Sequence, residues 1–377
     1  MSNGPLLGIG LAAFLVMSHN AYAADGTIEI GLLADLSGPS ALSDSHTVNG
    51  AQMAVDEINA RGGIHGQMLK LIVEDDRDQN QAGVSAYEKL AADPNIVAII
   101  NSVRSTIVQA TLPYVLRDQI PTLIGGTDPK LTHKGNPWVF RFRPNDTYAS
   151  QAMVAYSTGA MGGKNVAILY DTDAFGASGN NLLLNALQKD GAHIVSDQGY
   201  TTATQDYTSY LENIQRSGAD TLETYMTNSE DEAQMLKQLR QLGLNIKIMG
   251  SPSIATAVDI QLAGDAVNGT YGVSDFVASG TPVSKDFSSA YEAKYHSQPD
   301  LFAAWVYDAV NVVARVIAAN GTSPSAIQKG MRAVQNYHGV EGTYSFDQNG
   351  DGLHGYWVVQ MKNKASEPIK FVDFSSS

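Results

Sequence analysis

The sequence contains no cysteine in its 377 residues. That excludes disulfides, zinc–thiolate and iron–sulfur centres, and cysteine nucleophiles. Charge is also sparse. Only 16% of residues are Asp, Glu, Lys or Arg, and 24 Lys plus Arg face 38 Asp plus Glu, for a formal net charge of -14. A clustered basic face, which nucleic acid requires, is therefore not expected, and docking on anionic lipid is disfavoured. The eight histidines are scattered, with neither an H-E-x-x-H motif nor an i,i+4 pair, so no metal site is expected. There is no G-x-S-x-G elbow and no legible nucleophile–base–orienter set, so neither an enzyme nor a cofactor is expected. What is present is a globular composition, 44% hydrophobic. At roughly 100–200 residues per domain, two domains are the ordinary outcome.

Residues 1–23 stand apart. Leu6 to Met17 is a short apolar run that ends in Ala21-Tyr22-Ala23, a small-x-small pattern. The run is too short to span a bilayer and reads as a secretory signal cleaved after Ala23, although no Lys or Arg precedes it. No later stretch reads as a membrane span, and no Cys follows the signal to carry a lipid. The mature chain is expected to be free in an exported compartment, a Gram-negative periplasm.

From residue 27 the chain alternates. Strand-like runs at 27–35, 69–73, 96–100 and 122–124 are separated by helical periodicity near 51–58, 80–92 and 104–118. Each strand–helix–strand unit predicts a parallel sheet covered on both faces. After Arg141-Phe142-Arg143-Pro144 the alternation restarts: Asn145 or Asp146 can cap a helix through Ala160, and strands follow at 165–170, 193–199, 221–226 and 246–249. Ser229-Glu-Asp-Glu232 reads as a capping box. The last third is more helical, over 284–296 and 301–319, and ends in strands near 343–346, 356–361 and 370–374. With no flexible linker between the two units, several crossing segments are expected.

In open parallel sheets, ligands bind beyond the carboxyl ends of the strands. One such loop is Asn101-Ser-Val-Arg-Ser-Thr106, immediately before a helix. A helix start with hydroxyls and Arg104 beside it suits an anion. The next is Gly125-Gly126-Thr127-Asp128, whose glycines allow close backbone approach. Together they suit a carboxylate, though capping and a turn would use the same residues. The second unit offers Asp173 and Phe175, Asn228-Ser229, and Gly250-Ser-Pro-Ser253, with Tyr200 and Tyr225 as further aromatic walls; Asp275-Phe276 lies where the chain can cross back. Asp347-Gln-Asn-Gly-Asp-Gly352 mimics a calcium loop but has Val358 where that loop needs a bidentate Glu, so it reads as a turn.

Several stretches resemble one family. They are Gly31-Leu-Leu-Ala-Asp-Leu-Ser-Gly38, Gly50-Ala-Gln-Met-Ala-Val-Asp-Glu-Ile-Asn59 with Gly62-Gly63-Ile64-His65-Gly66, Asp75-Asp76 with Ala82, Phe140-Arg141 with Arg143-Pro144, and Phe346-Asp347 with Asn349-Gly350-Asp351. With these the mature chain resembles type I periplasmic solute-binding proteins, in particular the Leu/Ile/Val-binding family of ABC importers. The resemblance implies an α/β fold of two Rossmann-like doubly wound lobes joined by three crossover segments, with the ligand in the cleft between them. It places lobe 1 at 24–144 plus 277–342 and lobe 2 at 145–276 plus 343–377. The implied partners are a small carboxylate or amino acid and an ABC permease with its ATPase subunits, and the implied state is a monomer without membrane insertion.

The same resemblance matches Ser105 to a Ser that binds the ligand carboxylate, Thr127 to a Thr of the neighbouring loop, and Gly125 to a backbone contact. Phe175 falls where amino-acid binders often have Tyr. Those binders also carry an acid just after the strand ending here at Met249, to pair with the α-ammonium; here stands Gly250-Ser251-Pro252-Ser253. A buried ammonium without a counter-charge is costly. Unless Asp128, Asp173 or Asp275 substitutes, the expected ligand is a carboxylate without an α-amino group, such as a 2-oxo or aromatic acid. An amino-acid carrier is the alternative, with an amide or urea sensor behind it.

Overall fold

The computed structural model describes Met1 and residues 26–375; apart from Met1, the expected signal lies outside the described residues. The first sheet is built from β1 (Thr27–Ala34), β2 (Met68–Asp75), β3 (Ile96–Ile100), β4 (Thr122–Ile124) and β5 (Val139–Arg141), in the order β2-β1-β3-β4-β5. All its pairings are parallel. Between the strands run α1 (Ala41–Ala60), α2 (Asn80–Ala91) and α3 (Ser105–Asp118). The second unit follows with α4 (Asp146–Val154), β6 (Asn165–Asp171), α5 (Ala174–Asp190), β7 (His193–Tyr200), α6 (Thr208–Arg216), β8 (Thr221–Tyr225), α7 (Ser229–Gln241), β9 (Lys247–Gly250), α8 (Ala257–Ala263) and β10 (Tyr271–Ser274).

The chain then returns to the first lobe with α9 (Pro282–Tyr295), α10 (Leu301–Asn320), α11 (Pro324–Arg332) and a small hairpin, β11 (Tyr337–His338) and β12 (Thr343–Tyr344). It ends in β13 (Gly355–Lys362) and β14 (Ala365–Asp373), which extend the second sheet as antiparallel strands to the order β14-β13-β10-β9-β8-β6-β7. Segments 142–145, 275–281 and 345–354 therefore cross between the lobes. Tyr344, Phe346 and Leu353 are buried in the core of the first lobe, and the Tyr344 hydroxyl lies 3.1 Å from an Asp308 carboxylate oxygen of α10. The chain joins the second sheet at Gly355, later than residue 343, because this aromatic cluster holds it back.

Two further expectations are corrected. The stretch Leu301–Asn320 is long and apolar enough to cross a membrane, contrary to the reading of the sequence, yet 78% of its most apolar window is buried inside the protein. It is the central helix of the first lobe. Gly50 in the middle of α1 makes that packing possible: a Cβ there would stand 2.2 Å from the Ala303 carbonyl oxygen of α10. The capping box at Ser229 does not form. Asn228 is the N-cap of α7 without a side-chain bond, and Glu232 turns inward to accept from Thr224 Oγ1 at 2.8 Å and Ser253 Oγ at 3.0 Å. A buried pair of hydroxyl donors outcompetes a solvent-side cap. Asn145 does cap α4, accepting from the Thr147 amide at 3.0 Å.

Candidate functional site

The cleft between the lobes narrows to a cavity of about 30 Å³, lined by Val103, Arg104, Ser105, Arg143, Phe175, Thr227, Pro252, Ser253, Thr256, Leu301 and Phe302. These come from beyond the carboxyl ends of β3, β5, β6, β8 and β9, which is where parallel sheets place ligands, and from the start of α10. A volume of that size holds a water or two, so the two lobes stand closed on one another.

Side-chain bonds across the cleft account for the closure. Ser40 Oγ donates to Asn228 Oδ1 at 3.0 Å, and Ser43 Oγ donates to Glu230 Oε1 at 3.0 Å. Thr106 Oγ1 donates to Asp173 Oδ2 at 3.0 Å and accepts from the Ala174 amide at 3.1 Å. Ser178 Oγ donates to Asp128 Oδ1 at 3.0 Å, and the Ala257 amide donates to Asp300 at 3.1 Å. Such bonds are individually worth about 0.5–1.5 kcal/mol, which suits a reversible closure.

At the start of α3 the chain is extended at Arg104 and no side chain caps the helix. The free end of the helix and its positive dipole therefore meet the cavity at Ser105. Ser105 Oγ accepts the amides of Thr127 and Asp128, each at 3.2 Å. Its lone pairs are thus engaged and its proton is left to donate. Arg104 is buried, with Nη1 donating to the Thr227 carbonyl at 3.0 Å across the cleft. Its Nε and Nη2 have no hydrogen-bond partner. The nearest charge, Asp78 Oδ2, is 4.0 Å from Nε, and the Arg104 guanidinium lies 5.5 Å from the centre of the Phe302 ring.

An acidic shell surrounds this arginine. Burial would lower the Arg104 pKa, but Asp78, Asp44, Glu230 and Asp76 together hold it above its ordinary value. Burial in turn raises Asp44 to about 7 and Asp76 to about 6, with the Arg104 charge pulling both down. Arg104 thus lines the cavity as a cation, and acidic side chains from both lobes stabilise its charge.

Of the residues expected from sequence, Arg104, Ser105, Phe175 and Pro252 line the cavity. Asn228 does not; it serves the closure through Ser40. The glycine loop lies one layer behind. A Cβ on Gly125 would meet the Trp305 ring at 2.8 Å, and one on Gly126 would meet Leu131 at 2.8 Å, so core packing sets these two glycines. Thr127 Oγ1 is buried without a close hydrogen-bond partner; it lies near Asp146, whose carboxyl burial pushes up to about 7 against a smaller opposing pull from Thr127. Asp128 caps the short helix Pro129–Leu131 and receives Ser178. Asp275 is bound by Arg143 Nε at 2.5 Å and Nη2 at 3.2 Å. Asp173 caps α5 and accepts from Thr106 and Thr227. None of the three acids considered as counter-charges for an ammonium lines the cavity. Tyr200 and Tyr225 pack inside the second lobe, Tyr225 donating to Asp146 at 2.8 Å.

Sequence reading did not mark Val103, Thr227, Thr256, Leu301, Phe302 or Arg143 individually as lining residues, and it named Ser253 only as part of its loop. Thr227 and Thr256 lie within three residues of loops already singled out, so their hydroxyls were a usable signal. Leu301 and Phe302 follow a crossover and carry no local mark of a site.

The likeness to known proteins agrees with this geometry. The family described as Periplasmic binding protein matches residues 27–366. A Leu/Ile/Val-binding protein of Rhizobium johnstonii is 30% identical over 323 residues, covering 84% of this chain and 86% of its own. The branched-chain amino acid transporter substrate binding protein of Streptococcus pneumoniae, solved in complex with isoleucine, superposes with a TM-score of 0.85 at 23% identity, covering 92% of this chain and 99% of its own. A solute binding protein of an ABC transporter from Rhodopseudomonas palustris, in complex with 3,4-dihydroxy benzoic acid, gives 0.84 at 17% identity, covering 92% of this chain and 98% of its own. The two superpositions show the fold, and the match over residues 27–366 together with the Rhizobium relative shows the kinship: this chain belongs to the type I periplasmic binding proteins, in the family of the Leu/Ile/Val-binding proteins.

Proposed function

We propose that the protein binds a small carboxylate in the periplasm and delivers it to an ABC permease, and that the favoured ligand lacks an α-amino group, as a 2-oxo acid or an aromatic acid does. One observation carries this reading. Arg104 lines a cavity that has no carboxylate in its lining, and two of its guanidinium nitrogens have no hydrogen-bond partner, although Asp78 stands 4.0 Å from Nε. A buried donor without a partner costs about 1–3 kcal/mol, and more when charged. A ligand carboxylate would satisfy Arg104 and the Ser105 proton together. An α-ammonium would find no carboxylate in the lining and would stand beside the Arg104 cation, with Asp128, Asp173 and Asp275 all committed elsewhere. Phe175, Phe302, Leu301 and Pro252 supply apolar walls for the remainder of the ligand.

A second reading, an amino-acid carrier, is favoured by kinship, since the Rhizobium relative is named for leucine, isoleucine and valine. A thermal-shift comparison separates the two. Leucine, valine and phenylalanine would be set against their 2-oxo counterparts and benzoate. A ligand at a hundred times its dissociation constant stabilises by about 2.7 kcal/mol, a shift of a few degrees. Shifts with the oxo or aromatic acids and not with amino acids support the carboxylate reading. Shifts with amino acids alone mean that ligand binding rearranges one of the committed acids, and the reading fails.

A further inference from the structure

The crossovers meet at a buried charge cluster that touches the ligand cavity. Arg143 lies on the first crossover, at residues 142–145, and Asp275 opens the second, at 275–281. Glu341 sits on the loop between β11 and β12, just ahead of the third. All are at least nine-tenths buried. Arg143 grips Asp275 through Nε and Nη2, and its Nη1 donates to the Gly125 carbonyl at 3.4 Å. A guanidinium has five N–H donors, so two remain after these bonds, and Arg143 lines the cavity.

Glu341 sets the charge of this cluster. Its Oε2 accepts from the Tyr344 hydroxyl at 2.8 Å, while Oε1 is buried with no donor reaching it. A carboxylate oxygen left so, beside a second carboxylate, is satisfied by a proton held between the two. Burial, and then the Asp275 charge, raise the Glu341 pKa well above its ordinary value. With Glu341 neutral, the Arg143–Asp275 pair sums to zero and the cluster does not repel an anion. The Glu341 amide donates to Asp308 of α10 at 2.9 Å, as does that of Val340, so the loop is fixed to the helix whose first residues also line the cavity.

We propose that Arg143 is a specificity-determining residue of the cleft: a second cation, rooted where the crossovers meet and positioned by Asp275 and Glu341, that reads the ligand's carboxylate alongside Arg104. The inference rests on the reading that a carboxylate is bound there, but not on whether the ligand also carries an amino group. A ligand held by Arg143 is tethered to the segments that swing when the lobes part, so its charge is coupled to closure.

The test is calorimetric titration of 4-methyl-2-oxopentanoate and of leucine, which share a carboxylate and differ at the α-carbon. Arg143→Gln should weaken whichever acid binds the wild-type protein by about tenfold or more, the loss of a charge-assisted contact. Arg143→Lys, which keeps the charge and loses the fork, should fall between the two. Asp275→Asn combined with Glu341→Gln, so that no carboxylate takes up the charge in its place, should instead tighten binding, by about threefold, because the Arg143 charge is no longer cancelled. A merely structural ion pair would give the opposite sign there. Should Arg143→Gln not fold, the sign for the double variant decides alone. A folded Arg143→Gln protein that binds like wild type, or a folded double variant that binds no more tightly, overturns the inference. Binding of leucine and not of the oxo acid overturns the favoured ligand and leaves the Arg143 test standing. Binding of neither acid by the wild-type protein overturns both.

Discussion

Two buried arginines of the first lobe differ in how their donors are used. Arg141, at the end of β5, is saturated. Its Nε donates to Asp351 at 2.9 Å, Nη1 to the carbonyls of Asp128 at 2.8 Å and Gly126 at 3.3 Å, and Nη2 to Thr132 Oγ1 and Asp351. Arg104, at the start of α3, makes one such bond and leaves Nε and Nη2 without a hydrogen bond, Nε at 4.0 Å from Asp78. The first arginine ties the Asp347–Gly352 turn to the first lobe: Asp347 collects the amides of Asn349, Gly350 and Asp351, and Asp351 is presented to Arg141. The lesson is that an arginine's burial says little by itself. Its unspent donors distinguish structure from recognition.

The largest effect should come from breaking the saturated arginine. Asp351→Ala leaves Arg141 buried and unpaired, which costs about 3–5 kcal/mol. Chemical denaturation should show it, while the affinity of the folded protein for a carboxylate stays as it was. Arg141, His133 and Thr132 hold the Asp351 carboxyl well below its ordinary 3.8 against the opposing effect of burial, so its contribution is present above that pH and fades as pH falls.

An acid buried without an arginine should show the opposite sign. Glu223, on β8, is fully buried, receives only Ser157, and is pushed by burial from 4.5 to about 7. The folded state then holds a proton that the unfolded chain has released. Its stability contribution is complete below about pH 4.5 and is lost as pH rises to about 7, an amount on the order of 3 kcal/mol. In Glu223→Gln the decline in stability between those pH values should flatten. A curve that matches the wild type would mean that Glu223 is ionised in the folded protein.

The unsaturated arginine should move binding more than stability. Arg104→Gln should weaken a bound carboxylate by about 1.5–3 kcal/mol, roughly ten- to a hundredfold. Ser105→Ala comes next, near 1 kcal/mol for one neutral donor. Titration of 4-methyl-2-oxopentanoate and leucine reads both, and equal affinity in both variants would remove the helix start from the site. The smallest effect is expected at Thr127→Val, because that hydroxyl faces Asp146 and not the cavity.

Much of this was legible in the residues. Alternating apolar strands and periodic helices dictated two parallel α/β units, since each strand needs both faces covered. Strand ends marked the loops at Arg104-Ser105, Phe175 and Pro252, because backbone beyond a sheet edge is free to meet a ligand. The absence of an acid after Met249 could also be read directly. What local sequence does not encode is which neighbour a side chain meets. Gly125 and Gly126 looked like ligand contacts until Trp305 and Leu131 arrived from distant segments to fill the space beside them. Glu232 looked like a cap until Thr224 and Ser253 offered it a buried alternative. Leu301 and Phe302 reach the cavity only because the chain crosses back. The pairing of Asp275 with Arg143, 132 residues away, exists only after folding. Pattern and propensity act over a few residues and fix elements; charges and cavities are settled by contacts between segments far apart in the chain, and those belong to the tertiary structure alone.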